Sequence, residues 1–289
     1  MMSQWDQTFS NILGYKIRDS RGINWSAQSI VDFLESKGIP VYLAGGAVRD
    51  IITGNNAPKD IDMVARAPIV KTADILKEAM GTDSLLIYNE PLGSLRVGNS
   101  HSEYIDVGMF RDINSIIGAS RLSEIHWGYS GDPYADALTT DFTINAMYWR
   151  MNEGVLDPLN RGIADCQARK LVIAADPRKA ELDLRLTLRM ALFACRGFVP
   201  DNYSHTFFVN RINDDVASFG VDLAGYLNEL TRDSSDLKAA ILHFCANNGA
   251  SAETIQALEF AVNSGSVGYT SYWNNSGNSN SSITVGNKT

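Results

Sequence analysis

Two aspartates one residue apart, Asp60 and Asp62, form the first pair in this chain whose spacing points to chemistry. They lie in Lys59-Asp60-Ile61-Asp62-Met63-Val64, which alternates as a strand does. Residues two apart in a strand face the same side, so the two carboxylates point together. Adjacent carboxylates repel unless a cation lies between them. A divalent metal with oxygen ligands is the natural occupant, and Mg²⁺ usually arrives with substrate phosphates. Just upstream, Val41-Tyr42-Leu43-Ala44 reads as a buried strand, Gly45-Gly46 follow at once, and residues 47–53 have helical spacing with Gly54 placed to stop them. Gly-Gly permits a tight turn and close backbone approach. Free N–H groups where a helix opens make a phosphate seat. Singly, Gly-Gly is most often a turn and Asp-x-Asp a solvated face. In this order and at this short spacing, they favour a metal-and-triphosphate site.

Composition sets the bounds for the elements that position these residues. The chain has 289 residues, with 45% hydrophobic and 20% charged, as in a soluble globular protein of one large domain or two modest ones. No apolar run approaches the length a bilayer needs, and the N-terminus lacks the basic-then-apolar layout of a signal peptide, so a cytoplasmic protein without membrane contact is expected. Cys166, Cys195 and Cys245 are far apart and read as reduced thiols. The four histidines lack zinc-ligand spacing. A net charge of −8 argues against broad non-specific nucleic-acid binding but leaves room for a local basic groove.

The pattern Gly45-Gly46-x-Val48-Arg49-Asp50 followed by Asp60-x-Asp62 resembles the head-domain signature of the class II CCA-adding enzyme and bacterial poly(A) polymerase family. The resemblance covers roughly residues 30–235. It implies an α+β fold: a polymerase-β-type nucleotidyltransferase head, with a mixed sheet and helices packed behind it, followed by an all-α neck. Ile105-Asp106-Val107-x-x-Phe110-Arg111 is similar to the family strand that carries a third acid, so Asp106 is expected to join Asp60 and Asp62 as catalytic residues and metal ligands of a two-Mg²⁺ site. The block from Asp136 to Met147 resembles the family's Asp-Leu-x-Arg-Arg-Asp-Phe-Thr-Ile-Asn-Ala-Met, but Thr139-Thr140 replace its paired arginines. Threonine cannot replace those cationic donors. Asp141 and Asn145 match the block and are expected at the nucleotide, with Gly45 and Gly46 approaching its phosphates and Arg49 adding charge-assisted bonds.

A single helix is expected over residues 180–196, similar to the family's base-reading Glu-Asp-x-x-Arg-x-x-Arg. One register places Asp183 and Arg189 on that motif; a shift by one residue places Glu181 and Arg185 there instead. Neither satisfies it in full, and ordinary i, i+4 pairing of Glu181 with Arg185 is the alternative. Asp183, Arg185 and Arg189 are all candidate nucleotide ligands.

The expected organisation is an irregular N-terminal arm (1–24), a head (25–175), a helical neck (176–262) and a flexible polar tail (263–289) rich in Asn, Ser and Gly. Within the head, residues 112–135 are expected as a mobile loop near the site. The first functional reading is metal-dependent, template-independent addition of NMP from an NTP (ATP and/or CTP) to an RNA 3′ end, tRNA first among acceptors, with release of pyrophosphate. A partner or a dimer would take the place of the family's RNA-gripping body and tail domains. A second reading keeps the chemistry and moves it to a protein or small-molecule acceptor. A third is a degenerate, non-catalytic nucleotide or RNA binder.

Overall fold

The computed structural model describes residues 5–55, 61–100, 103–232 and 234–260. Asp60 and the tail expected over 263–289 lie outside these described residues. The chain opens with α1 (Asp6–Ile12) and a hairpin of β1 (Lys16–Arg18) and β2 (Asn24–Ser26). An irregular arm was expected here. Instead Phe9 is fully buried and stacks on Trp149 at 4.7 Å, and the Trp149 indole N–H donates to Asp6 Oδ1 at 2.9 Å. Ser26 caps α2 (Ala27–Ser36), accepting from the Ser29 amide, and Ala27, Ile30 and Leu34 form its buried stripe.

The wholly buried β3 (Val41–Ala44) runs through Gly45 into α3 (Gly46–Ile52). Next come β4 (Asp62–Ala65), α4 (Ile69–Met80), the meander β5 (Leu85–Asn89), β6 (Ser94–Ser100) and β7 (Glu103–Met109), then α5 (Pro133–Ala137) and the hairpin β8 (Tyr148–Arg150) and β9 (Gly154–Leu156). These strands form one seven-stranded sheet in the order β5-β6-β7-β4-β3-β8-β9. It is mixed because β4 and β7 run parallel, as their connection through α4 and the meander allows, while every other neighbouring pair is antiparallel. Along β7, Ile105, Val107 and Met109 are buried and alternate with half-buried Tyr104, Asp106 and Gly108. One face is therefore core, shared with Leu43, Met63, Ile30 and Leu34, and the other opens onto the site.

The segment 112–135, expected as a mobile loop, carries two 3₁₀ turns and buries Ile113, Ile116, Leu122, Ile125 and Trp127 in the core. Beyond the sheet come α6 (Gly162–Gln167) and β10 (Lys170–Leu171), then α7 (Pro177–Leu182) and α8 (Leu186–Cys195). β11 (Val199–Pro200) pairs with β10, and α9 (Asn202–Leu230), α10 (Ser235–Asn247) and α11 (Ala252–Phe260) follow. The helix expected over 180–196 is broken at residues 183–185. Within the expected helical neck, α9 runs as one long element interrupted by non-helical Phe219. Among the described residues, no helix is long and apolar enough to cross a membrane.

Candidate active site

Strand register builds the acidic part of the site. Parallel pairing of β4 with β7 sets Asp62 directly opposite Asp106. Antiparallel pairing of β6 with β7 sets Arg96 opposite Asp106 from the other side. Arg96 Nε and Nη2 donate to Asp106 Oδ1 and Oδ2, both at 2.7 Å. The Arg96 guanidinium carbon lies 3.5 Å from the Tyr104 ring centroid. Burial works against the charge on Arg96, but Asp106, Tyr104 and Asp62 outweigh it and raise its pKa.

Among the described residues, no group of three or more His, Cys, Asp or Glu side chains is placed to hold a metal ion. Asp62 and Asp106 supply a pair of hard oxygen donors from adjacent strands, a donor set that fits Mg²⁺. Each Asp106 oxygen accepts one bond from Arg96 and keeps a lone pair for a further partner.

Opposite this row, Gly45 takes φ 60°, ψ −123°, a conformation reserved almost wholly for glycine, and turns β3 into α3. The turn places Arg49 on a chain of side chains. Arg49 Nε and Nη2 donate to Asp50 Oδ1 at 2.8 and 2.6 Å, and Nη1 donates to Asn145 Oδ1 at 2.6 Å. Asn145, in the 3₁₀ turn Thr143–Asn145, donates through Nδ2 to Asp141 Oδ1 at 2.9 Å. Asp141 Oδ2 accepts from Arg189 of α8. Burial pushes the Asp141 carboxyl up, but Arg189 and Asn145 prevail and hold it below the usual range. One polar chain thus ties the glycine turn to α8.

The break between α7 and α8 gives Asp183 and Arg185 their places. Asp176 caps α7, with Pro177 in its first turn. Asp183 ends the helix, is 2% exposed, and accepts from Lys179 Nζ at 2.7 Å through Oδ2. Its Oδ1 accepts from the Arg185 amide at 3.3 Å and lies 3.4 Å from Arg185 Nε. Burial pushes the Asp183 carboxyl up, but Lys179 and then Arg185 hold it well below the usual carboxylate range. Glu181 is exposed and away from the cavity, so the break brings Asp183, Arg185 and Arg189 to it together without either continuous-helix register.

Gly45, Gly46, Arg49, Asp62, Asp106, Asp141, Asn145, Asp183, Arg185 and Arg189 all line a single cavity of about 680 Å³, in the range of small-molecule sites. Sequence reasoning missed four more of its lining residues: Arg96, Asp136, Lys179 and Arg196. Lys179 carried a signal in its i, i+4 spacing to Asp183. Arg96 carried none, because its partner is set by long-range pairing. Asp136 accepts from the Arg111 amide and Nε, both at 3.0 Å, and from the Tyr148 hydroxyl at 2.6 Å. The cavity can hold a polyanion against several cations beside a pair of carboxylates.

Residues 41–172 match the Poly A polymerase head domain family. Poly(A) polymerase I of Haemophilus influenzae is 27% identical over 164 residues, covering 54% of this chain and 35% of that protein. The CCA-adding enzyme of Lactococcus lactis is 28% identical over 178 residues, covering 61% and 43%. The chain thus spans less than half the length of these relatives. Among solved structures, the Bacillus stearothermophilus CCA-adding enzyme in complex with CTP superposes with a TM-score of 0.61 at 20% identity, over 78% of this chain and 52% of that one. This likeness agrees with the expected α+β head followed by a helical neck.

Proposed function

We propose that this chain, whose residues 41–172 match the Poly A polymerase head domain family, is a template-independent nucleotidyltransferase that moves NMP from an NTP to an RNA 3′ end. The observation that carries this reading is the register of Asp62 with Asp106 in the cavity that also holds the Gly45-Gly46 turn and the Arg49–Asn145–Asp141–Arg189 chain. Poly(A) polymerase and CCA-adding relatives support an RNA acceptor, with tRNA first, and ATP and CTP as donors. Three free cysteines support a cytoplasmic setting.

Asp62 and Asp106, with Asp60, would hold Mg²⁺, whose chemistry when bound is to acidify the acceptor hydroxyl and neutralise the triphosphate. Asp106 is held by Arg96, so its carboxylate keeps one orientation as the donor arrives. Gly45 and Gly46 let the backbone approach the phosphates, and Arg49 is fixed by Asp50 and Asn145 to face them. The acceptor hydroxyl gives its proton to solvent as its 3′ oxygen bonds to the α-phosphorus, the bond from that phosphorus to the α–β bridging oxygen breaks, and pyrophosphate leaves with the electron pair. Arg189 and Arg185 line the cavity and would meet the base, with Asp183 held between Lys179 and Arg185.

The test is a label-transfer assay with purified protein, Mg²⁺, each α-labelled NTP and total RNA. A labelled band of tRNA size that vanishes with Asp60→Ala, Asp62→Ala supports the reading, and transfer by that folded variant sinks it. Label on protein or on a small molecule instead moves the chemistry to another acceptor, a reading favoured by the net charge of −8.

A further inference from the structure

Three arginines lie against one ring in the wall of the site. Arg49, Arg189 and Arg196 lie 5.0, 5.7 and 5.5 Å from the centroid of Phe193, itself 2% exposed. Two of them are already matched: Arg49 by Asp50 and Asn145, and Arg189 by Asp141. Arg196 makes no ion pair or side-chain hydrogen bond among the described residues. It sits at the C-terminal end of α8, where a second cavity of about 580 Å³ meets the first. Both cavities share Gly46, Arg49, Asp62 and Arg196 in their walls. Arg169 adds a further cation to the wall of the second cavity, which Asp50 also lines.

Guanidiniums gathered on one ring attract an anion, and Arg196 is exposed and open to one. Partial burial, and then the neighbouring Arg49, push Arg196 below the usual arginine pKa despite nearby Asp50. A guanidinium in this position offers planar, charge-assisted bonds suited to phosphate oxygens. The loop where the family resemblance leads one to expect paired arginines has Thr139 and Thr140, whose hydroxyls are spent on the carbonyls of Asp136 and Ala137.

We propose that Arg196 is the anion-recruiting cation of this site, binding a phosphate oxyanion at the junction of the two cavities in place of the cations the threonine loop lacks. This rests on the nucleotidyltransferase reading for its place in the reaction. Two sources share the chemistry, the triphosphate of the incoming nucleotide and a phosphodiester of the acceptor strand.

The test uses the full chain as wild type, Arg196→Gln and Arg196→Lys. Binding of inorganic tripolyphosphate, ATP, adenosine and a fluorescent RNA ending in a 3′-OH is titrated, with thermal unfolding as a folding control. Loss of one strong charge-assisted contact corresponds to about tenfold to hundredfold in affinity. Arg196→Gln is expected to weaken tripolyphosphate and ATP by that factor and leave adenosine unchanged, with Arg196→Lys recovering much of the loss. A loss confined to RNA supports the anion site and assigns it to the acceptor strand. Unchanged binding of tripolyphosphate, ATP and RNA in a folded Arg196→Gln overturns the inference. If Arg196→Gln unfolds, the same comparison is made with Arg196→Met, which keeps the aliphatic stem and removes the charge, and anion binding at wild-type strength for every phosphate ligand in that variant overturns the inference. Arg196-dependent tripolyphosphate binding in a wild type that transfers no nucleotide would sustain the inference and remove the transferase reading. Transfer with Arg196-independent anion binding would do the reverse.

Discussion

Arg96 donates to both carboxylate oxygens of Asp106 at 2.7 Å from the directly opposed position on the neighbouring strand. The two ends of this pair differ in solvent access: the Arg96 side chain is 6% exposed and that of Asp106 34%. Asp106→Asn leaves a buried cation short of its main counter-charge and should cost about 3 kcal/mol. Arg96→Met leaves a carboxylate that water can reach and should cost about 1 kcal/mol. Urea unfolding of the two variants checks the order. Equal losses would mean that packing of Arg96 on Tyr104, rather than its charge, sets the energetics.

Gly45 and Gly46 are adjacent in sequence but differ in what they tolerate. Gly45 has φ 60°, so Gly45→Ala strains the turn and should cost about 1–3 kcal/mol. A Cβ on Gly46 would meet Arg49 Nη2 at 3.5 Å, an ordinary contact. Gly46→Ala should therefore fold as well as wild type, yet bind ATP about tenfold more weakly if a methyl stands where phosphate oxygens approach. Wild-type affinity in Gly46→Ala would place the phosphates elsewhere.

The carboxylate row was half legible. Alternation in Glu103-Tyr104-Ile105-Asp106-Val107 shows which face Asp106 takes, and the family pattern suggests why it should matter. That Arg96 lies across from it depends on β6–β7 register, which no local pattern in Ser94-Leu95-Arg96-Val97 encodes. The break at Asp183 was missed for the opposite reason: apolar spacing runs through residues 180–196 without a gap, and no glycine or proline interrupts it. The buried Lys179–Asp183 pair and the Asp183 bond to the Arg185 amide end one helix and start the next. Asp176-Pro177, a readable cap, was the available sign that a separate short helix begins there.

Acid should expose the role of that buried pair. Asp183 has a folded pKa held below its unfolded value of about 3.9. Its contribution is present above the unfolded pKa and is lost as pH falls through the folded one. Lys179→Met removes its nearest cation and leaves Arg185 Nε at 3.4 Å. Burial then dominates and pushes the carboxyl up. The variant should lose about 3 kcal/mol at neutral pH, and this deficit should shrink as pH falls and the uncompensated carboxylate takes up a proton. Urea unfolding followed by circular dichroism at pH 7 and at pH 4 checks this, and a deficit of the same size at both would refute it.

Thr139 and Thr140 should not respond alike to arginine. Thr139 is 2% exposed, and its hydroxyl donates to the Asp136 carbonyl at 2.8 Å. Thr139→Arg would force a second guanidinium into the pocket where Arg111 already holds Asp136, at a cost of several kcal/mol. Thr140 is half-buried and lines the cavity, losing only its bond to the Ala137 carbonyl at 2.6 Å. Thr140→Arg should fold, tighten ATP binding by about tenfold, and offset part of the loss in Arg196→Gln. ATP titrations of Thr140→Arg alone and combined with Arg196→Gln check both points. No gain in either background would mean that a guanidinium at residue 140 does not reach the phosphates that Arg196 is proposed to hold.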